Sequence, residues 1–419
     1  MATDVDVQYF SHLNGLTLGN NWGDLIRLLD TCLVNGLPLT SITSASIDAQ
    51  GDITLNLYAA HNCMLFQIVE LVGFAPSELN GKYRIKGTPS ATQLILKATH
   101  VGKSITTTGT AKIASLGYEI IFRDVNDVKR VYRAKNPTAQ HPFIRVDETI
   151  SDGVNSYNSA YAKSAMVGLI ENMTHIDDYL NPNKLQLPLD ATDFSKNWKI
   201  TGTGTNVVRG WSKWYWAKNG SALNNASAES AAPSTSNREF TITGNTNAFY
   251  FLRSIGSSTE SKLLSGLGLY NSALATDVTK NWFLMTTQSA SSASTSFSHQ
   301  SIEGGMPLCA TESASSFLLN KFNPSLIQNN ISGKALLPDY RTGSSAPYPT
   351  NNISALEIPF YDGDLRLRGS FEQILYAAKS IVNKFTTPIL ADTSMYVSDA
   401  AQVTTGTYGG VYFYLGSLE

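Results

Sequence analysis

Strict alternation of apolar and polar residues marks the first third of the chain and predicts β-strands. The clearest run is ITLNL at 53–57, where every second side chain is apolar, as expected for a strand with one buried face. Asn80-Gly81 has the residue chemistry of a hairpin apex. Short strands without an intervening helical pattern predict a small β-sandwich or barrel. The other strands predicted in this part are 66–73, 93–98, 106–113 and 118–122.

A helical period is clear near the N-terminus. Apolar residues from Trp22 to Leu33 recur at roughly helical spacing, Asn20 or Asn21 is placed to cap the helix, and Gly36 ends it. The apolar stripe of this short helix is expected to face the protein core.

Later in the chain, polar stretches interrupt the strand pattern. Residues 180–194 are rich in Asn, Pro and Asp and are interpreted as a linker, whereas 221–237 and 289–298 are Ser-rich loops. Residues 161–173 fit either a strand or a short helix. Further strands are predicted at 131–133, 143–147, 240–244, 248–252, 282–286, 356–360, 365–369, 374–376 and 408–415.

We therefore expect a mainly β, multi-domain protein made of small β-sandwich or barrel modules, with a short N-terminal helix. The predicted regions are an N-terminal segment with the helix (1–48), a small β-sandwich or barrel (49–125), a β connecting segment (126–180) and, after the linker, a C-terminal β-sandwich-like domain with long Ser-rich loops (195–419).

Charged residues are scarce, which changes the expected character of the surface. They make up 15% of the 419 residues, against about 25% in typical globular domains. Low charge with abundant Ser, Thr, Asn and Gly is common in β-rich proteins whose surfaces pack against neighbours, and secreted adhesins share it. The net charge of -2 gives no support for nucleic-acid binding. The local cluster of Lys129, Arg130, Arg133 and Lys135 alternates with apolar residues and is interpreted as a solvated strand edge.

The cysteines and the N-terminus indicate synthesis in a reducing cytoplasm. Cys32, Cys63 and Cys309 are too few and too widely spaced for a disulfide framework. Cys32 and Cys63 have apolar neighbours and are expected to be buried free thiols. The first ten residues are polar and do not resemble a signal peptide, and no apolar run is long enough for a membrane span.

Motifs that carry chemistry are weak. No pair of histidines has metal-ligand spacing, and no nucleophile elbow or phosphate-binding loop is found. His175 with Asp177 and Asp178 is expected to cap or turn the chain, and Asp362-Gly363-Asp364 to form a turn before a strand. We predict no catalytic, cofactor or metal site and therefore no enzyme.

Aromatic residues cluster at 211–216. Trp211, Trp214, Tyr215 and Trp216 are a candidate aromatic interaction surface, because exposed aromatic rings stack on sugars and bind proteins. In a strand, these side chains would alternate between two faces. Core packing or subunit contact is favoured over glycan binding.

Several short motifs, in order along the chain, resemble a poorly characterised family of tailed-bacteriophage virion structural proteins. The similarity begins with KRVYRAKNP and HPFIRVDET, within 129–149, and continues with Glu171 to Asp177. The other similar stretches are KNW (196–198), WSKWYW (211–216), REFTITGNTNAFYFL (238–252) and LRGSFEQILY (367–376). FAPSELNGKYRI at 74–85 is similar to a small β-module of phage structural proteins. Asn245 and the QILY ending depart from the family pattern.

The resemblance implies a structural component of a tailed-phage virion, in the tail, baseplate or tail-tip region, that acts by assembly without catalysis. Its partners would be other virion proteins and copies of itself. Alternatives are a receptor- or glycan-binding adhesin that contacts a host-surface glycan, and a different position as a head-tail neck or capsid decoration protein. A polysaccharide depolymerase would need paired carboxylates, and no β-helix periodicity supports it.

Overall fold

The computed structural model is mainly β, which confirms the predicted fold class. The structure describes residues 3–150, 161–201, 208–219, 232–254, 256, 262–276, 279–288, 307–308, 316–321, 330–337, 355–376, 385–404 and 407–419. Cys309, the 289–298 loop and most of the 221–237 loop lie outside these described residues.

The strands follow one another along the chain with few helices between them. They are β1 Gln8–Ser11, β2 Leu37–Pro38, β3 Ile42–Ile47, β4 Ile53–Leu57, β5 Ile68–Val72, β6 Gly81–Ser90, β7 Gln93–Lys97, β8 Thr110–Ile113, β9 Tyr118–Arg123, β10 Lys129–Ala134, β11 Phe143–Asp147, β12 Lys163–Ile170, β13 Gln186–Leu187, β14 Ile200–Thr201, β15 Val208–Arg209, β16 Ser212–Ala217, β17 Phe240–Gly244, β18 Ala248–Ser254, β19 Lys262–Leu269, β20 Asn271–Ser272, β21 Trp282–Met285, β22 Thr287–Gln288, β23 Phe317–Asn320, β24 Asn330–Ala335, β25 Leu356–Asp362, β26 Leu367–Tyr376, β27 Thr387–Ala391, β28 Ser394–Thr404 and β29 Thr407–Ser417. The helices are α1 Asp24–Leu29, a π-helix Asp30–Asn35, and short 3-10 turns at His12–Asn14, Ser77–Leu79 and Asp178–Leu180.

A seven-stranded antiparallel sheet, which we call the small sheet, has the order β2-β8-β5-β6-β7-β4-β3. In β4, Ile53, Leu55 and Leu57 are buried between half-buried polar residues, so the predicted alternation is confirmed. The predicted boundary at residue 48 separates β2 and β3 from the sheet to which they belong. Asn80-Gly81 is not a hairpin apex, since β6 begins at Gly81 and the Asn80 side chain bonds the backbone of Phe74 across a longer loop.

A second sheet has the order β22-β16-β12-β11-β10-β9, with β13 paired to β12. The ambiguous stretch at 161–173 therefore contains a strand. The predicted linker at 180–194 is wrong in part, because it contains β13, whose two residues are buried. Its Asn- and Pro-rich composition reflects the turns on either side of this short strand.

The large sheet contains thirteen strands, in the order β1-β17-β18-β19-β21-β23-β24-β25-β26-β29-β28-β27, with β20 beside β26. Its β18 strand is buried on both faces. Phe249 and Phe251 pack into the core shared with the second sheet, whereas Tyr250 and Leu252 pack into a core within the large sheet. The β18 strand is apolar on both faces because the second sheet covers one face and the rest of the large sheet covers the other.

The large sheet folds back on itself, so its two ends face each other across the inner core. The Tyr250 ring lies 5.8 Å from that of Phe413 in β29, and the Phe283 ring lies 5.0 Å from that of Phe371 in β26. A buried ion pair joins Lys262 of β19 to Asp399 of β28 at 2.6 Å. These contacts give the C-terminal part the layered packing of a β-sandwich.

The predicted N-terminal helix forms, but its cap differs from the prediction. The N-cap position is Gly23, and neither Asn20 nor Asn21 caps the helix. The carboxylate of Glu148 accepts hydrogen bonds from the backbone N–H groups of Gly23 and Ile26 instead. A long-range side chain thus satisfies the donors at the start of α1. Within the described residues, no helix has the length and apolar character to span a membrane.

Candidate functional site

Three of the four residues in the candidate aromatic interaction surface at 211–216 are buried, which agrees with the favoured interpretation of core packing and not with an exposed surface. Trp214, Tyr215 and Trp216 in β16 have at most 1% of their surface exposed. The indole ring of Trp214 meets Phe249 edge-on at 6.0 Å, and its Nε1–H donates to the carbonyl of Met285 at 3.0 Å. The rings of Trp214 and Trp216 lie in the core shared by the second sheet and the large sheet, whereas Tyr215 is buried on the other face of β16.

Trp211 differs from its neighbours because it lies just before β16 and is half-buried. The ammonium group of Lys196 lies 5.2 Å from the centroid of its ring, a cation–π contact. Trp211 alone does not form the predicted surface.

The basic cluster is also not a solvated edge. β10 pairs with β9 on one side and β11 on the other, so its strand lies inside the second sheet. Arg130 is 1% exposed, and its Nε lies 3.2 Å from Asp30. The alternation of basic and apolar residues therefore does not mark an edge: it places the buried Arg130 beside the half-buried Asp30.

Other candidate chemical residues have structural roles. Asp178 accepts hydrogen bonds from the backbone of Thr174 and His175, which confirms the predicted turn. Asp362 accepts from the backbone of Asp364 and Arg366, so Asp362–Asp364 is also a turn as predicted. In the part of the chain that the structure describes, no three His, Cys, Asp or Glu side chains are grouped to hold a metal ion. Both described cysteines, Cys32 and Cys63, are free; Cys32 is buried, and Cys63 is half-buried.

The edge of β1 that faces away from β17 is closed by its own Gln8 side chain and by Gln67, which precedes β5 of the small sheet. The Gln8 amide donates to the carbonyls of Ile68 and Ala114 at 2.9 and 2.8 Å. The backbone N–H of Tyr9 donates to Gln8 Oε1, and its carbonyl accepts from Gln67 Nε2 at 2.9 Å. Backbone groups at the end of the large sheet thus have internal partners, and another strand cannot easily add there.

Arg84 reinforces this closure from β6. It is fully buried, and its guanidinium donates to the carbonyls of Asp4, Val7, Phe66 and Leu415 at 2.7–2.9 Å. Burial lowers the pKa of Arg84 to about 10. One side chain therefore connects the N-terminal segment, the small sheet and the last strand of the large sheet.

Glu148 holds the start of α1, in the segment that follows β1, through hydrogen bonds to its backbone. It is 0% exposed, and burial raises its pKa to about 7, although the hydrogen bonds from Ile26 and Gly23 oppose the shift. The carboxyl that caps α1 therefore changes protonation near neutral pH.

The outer edge of β3, in contrast, is open. Only β4 pairs with β3 among the described strands, and the two residues Ser44 and Ser46 are exposed. A register shift lies between Ile42 and Ser44, so the regular open ladder is 44–47. The strand contains no charged residue and no proline, two features by which proteins commonly protect edges. We call residues 42–47 the open edge; it is the candidate functional site.

An exposed aromatic residue lies beside the start of the open edge. Tyr58 is 78% exposed, and its backbone N–H donates to the carbonyl of Ser41 at 2.9 Å. It follows the end of β4 and gives this end of the edge an apolar contact area. An incoming strand would find unpaired backbone groups and an aromatic ring together.

The sequence contained part of the signal for this site. The sequence shows that residues 42–47 (ITSASI) are uncharged. It does not show that β3 is the last strand of its sheet, because that depends on the long-range pairing of β4 with β7. The closing residues Gln8, Arg84 and Glu148 had no local signal, since their partners lie 60, 80 and 122 positions away.

Comparisons with known proteins give little further information. No protein-family model and no curated protein matches the chain. Among solved structures, the phage phi92 endosialidase aligns with 91% of this chain and 52% of its own, at 9% sequence identity and a TM-score of 0.16. The chain thus spans about half the length of that protein. A TM-score this low does not establish a shared fold.

Proposed function

We propose that this chain is a structural subunit of a tailed-phage virion, in the tail, baseplate or tail-tip region. It assembles with copies of itself and with other virion proteins, and its role includes no catalytic step. The observation that carries the assembly part is the open edge of β3. The phage part is supported by the resemblance of 74–85, 129–149 and 171–177 to virion structural proteins.

Assembly would proceed by strand addition. A strand from a neighbouring subunit bonds the free N–H and C=O groups of 44–47 and continues the small sheet. Ser44 and Ser46 are small and uncharged, so they neither block nor repel an approaching strand. The small sheet is held firmly to the rest of the chain by Arg84, so that such a contact transmits position between subunits.

The proposal is tested by adding charge to the open edge. Ser44→Lys with Ser46→Lys places two like charges where strands would meet. The control Thr108→Lys with Thr110→Lys adds the same charge to two exposed positions, one just before β8 and one at its first residue. Mass spectrometry of purified particles should find the control pair incorporated and the open-edge pair excluded or strongly reduced. Equal incorporation of both pairs, at equal folded yield, would contradict assembly through β3.

A further inference from the structure

A shallow groove lies on the outer face of the large sheet, where β26 changes its partners. Ser370 of β26 lies opposite Pro359 of β25, and Leu375 lies opposite Glu357. Four residues of β26, 371–374, therefore face the single intervening residue of β25. Proline lacks the N–H that a regular ladder needs, which suits its position at this bulge. Bulges of this kind re-aim side chains and are frequent next to binding sites.

Gln373 in the bulge has an unusual backbone conformation. Its φ of 65° is in the left-handed region, which a non-glycine residue adopts only when its surroundings impose it. The Oε1 atom is buried and has no hydrogen-bond partner among the described residues. This atom has no accessible surface, so a bound molecule cannot reach it, and the exposed polar groups of the groove would have to bond a ligand instead.

Two tyrosines form the opposite side of the groove. Tyr396 of β28 and Tyr414 of β29 are register partners, with ring centroids 5.4 Å apart. Tyr414 is 37% exposed, while its neighbours Phe413 and Leu415 point into the inner core. The strand alternation thus presents a pair of aromatic rings to solvent.

The rest of the lining is polar and carries acidic rather than basic character. The Glu357 carboxylate accepts a hydrogen bond from the Ser370 hydroxyl, and Asn271 contributes an exposed amide. No Lys or Arg is found among the described residues that line the groove, whose volume is about 350 Å³. This volume is at the lower end of the range for small-molecule sites.

We propose that this groove binds a neutral saccharide. The CH face of a pyranose ring stacks on Tyr396 or Tyr414, while its hydroxyls bond the exposed Glu357 carboxylate and the Asn271 amide. An apolar ligand would cover the Glu357 carboxylate and the Asn271 amide without replacing their hydrogen bonds to water. An anionic sugar would meet Glu357 without a compensating cation. The groove and the open edge lie on different sheets, so saccharide binding does not depend on assembly through β3.

The test uses the full chain and an immobilised panel of neutral oligosaccharides containing glucose, galactose, mannose or N-acetylglucosamine, with oligogalacturonate as the anionic probe. At least one neutral probe should bind, and saturation-transfer NMR should show contact with its ring protons. Tyr414→Ala should weaken that binding about tenfold, as expected for the loss of one stacking contact. The control Val125→Ala, at a 99% exposed residue outside the groove, should leave it unchanged.

A second variant separates the loss of a ligand contact from a folding defect caused by the tyrosine substitution. Asn271→Ala changes an exposed lining residue and should also weaken binding of the neutral probe. Failure of every neutral probe to bind overturns the proposal, as does equal binding by the parent, Tyr414→Ala and Asn271→Ala, or a preference for oligogalacturonate.

Discussion

Two sheet edges of this chain have opposite properties. At β1, the Gln8 side chain donates to the carbonyl of Ile68 in the small sheet, and the Gln67 side chain donates to the Tyr9 carbonyl. At β3, the regular ladder of 44–47 ends without a partner strand among the described residues. Since both are terminal strands of antiparallel sheets, the difference lies in the side chains that reach them. Side chains from distant parts of the chain therefore decide whether a terminal strand is closed, and our proposal assigns the open edge to an external strand.

Arg84→Met is expected to have the largest effect on stability, because it removes the guanidinium that closes the β1 side. Four buried carbonyls would lose their donor, and the free energy of unfolding should fall by about 4 kcal/mol. Chemical denaturation measures this loss. Lys82→Met, at an exposed position of the same strand, is the control and should change stability little. Similar losses in both variants would mean that Arg84 does not hold the closed edge.

Gln8→Leu removes the side chain that links β1 to β5. The backbone groups of Ile68 and Tyr9 and the carbonyl of Ala114 lose buried partners, so the free energy of unfolding should fall by about 3 kcal/mol. Hydrogen exchange should become faster at the amides of Tyr9 and Ile68. The control, Gln50→Leu, lies in an exposed turn. Unchanged exchange at both amides would show that the edge is closed by other contacts.

Because Glu148 caps α1, the helix that follows β1, we expect the free energy of unfolding to depend on pH. Its pKa in the folded chain is about 7, above the ordinary value of 4.5, so the folded state holds the proton more tightly than the unfolded state. The stabilisation is fully present below about pH 4.5 and is lost as pH rises to about 7, and it amounts to about 2 kcal/mol between about pH 5 and pH 8. Glu148→Gln should flatten this part of the stability profile. An equally steep profile in the variant would contradict the assignment.

The open edge should give the smallest effect on the isolated chain. Ser44→Lys with Ser46→Lys changes two exposed side chains, so the free energy of unfolding should stay within about 0.5 kcal/mol of the parent. Thermal unfolding of this pair and of Thr108→Lys with Thr110→Lys checks the expectation. A large loss of stability in the first pair would mean that β3 is packed within the chain and is not free to accept a strand.

Local pattern was sufficient to predict many strands and insufficient to predict which edges are closed. β4 and β18 were predicted because side-chain alternation is a local property. Arg130 was misinterpreted because β10 has a neighbour on each side, which depends on residues far along the chain. The burial of Trp214 likewise depends on Phe249, from the sheet packed across it.

The groove was partly visible in the sequence. The alternating aromatic run at 408–415 was recognised, and alternation alone places Tyr414 and Phe413 on opposite faces. The bulge that aims Gln373 could not be predicted, because it depends on the pairing of β26 with Pro359 and with β29. Register between distant strands is set by the whole sheet rather than by either segment.

Cryo-electron microscopy of purified virions, with the chain located and β3 traced, tests the central claim most directly. We expect a strand of a neighbouring subunit within hydrogen-bonding distance of 44–47, and the β1 edge bonded to the same chain as in the isolated structure. Particles that lack the chain, or that contain it with the β3 edge facing solvent on every copy, would contradict assembly through this edge.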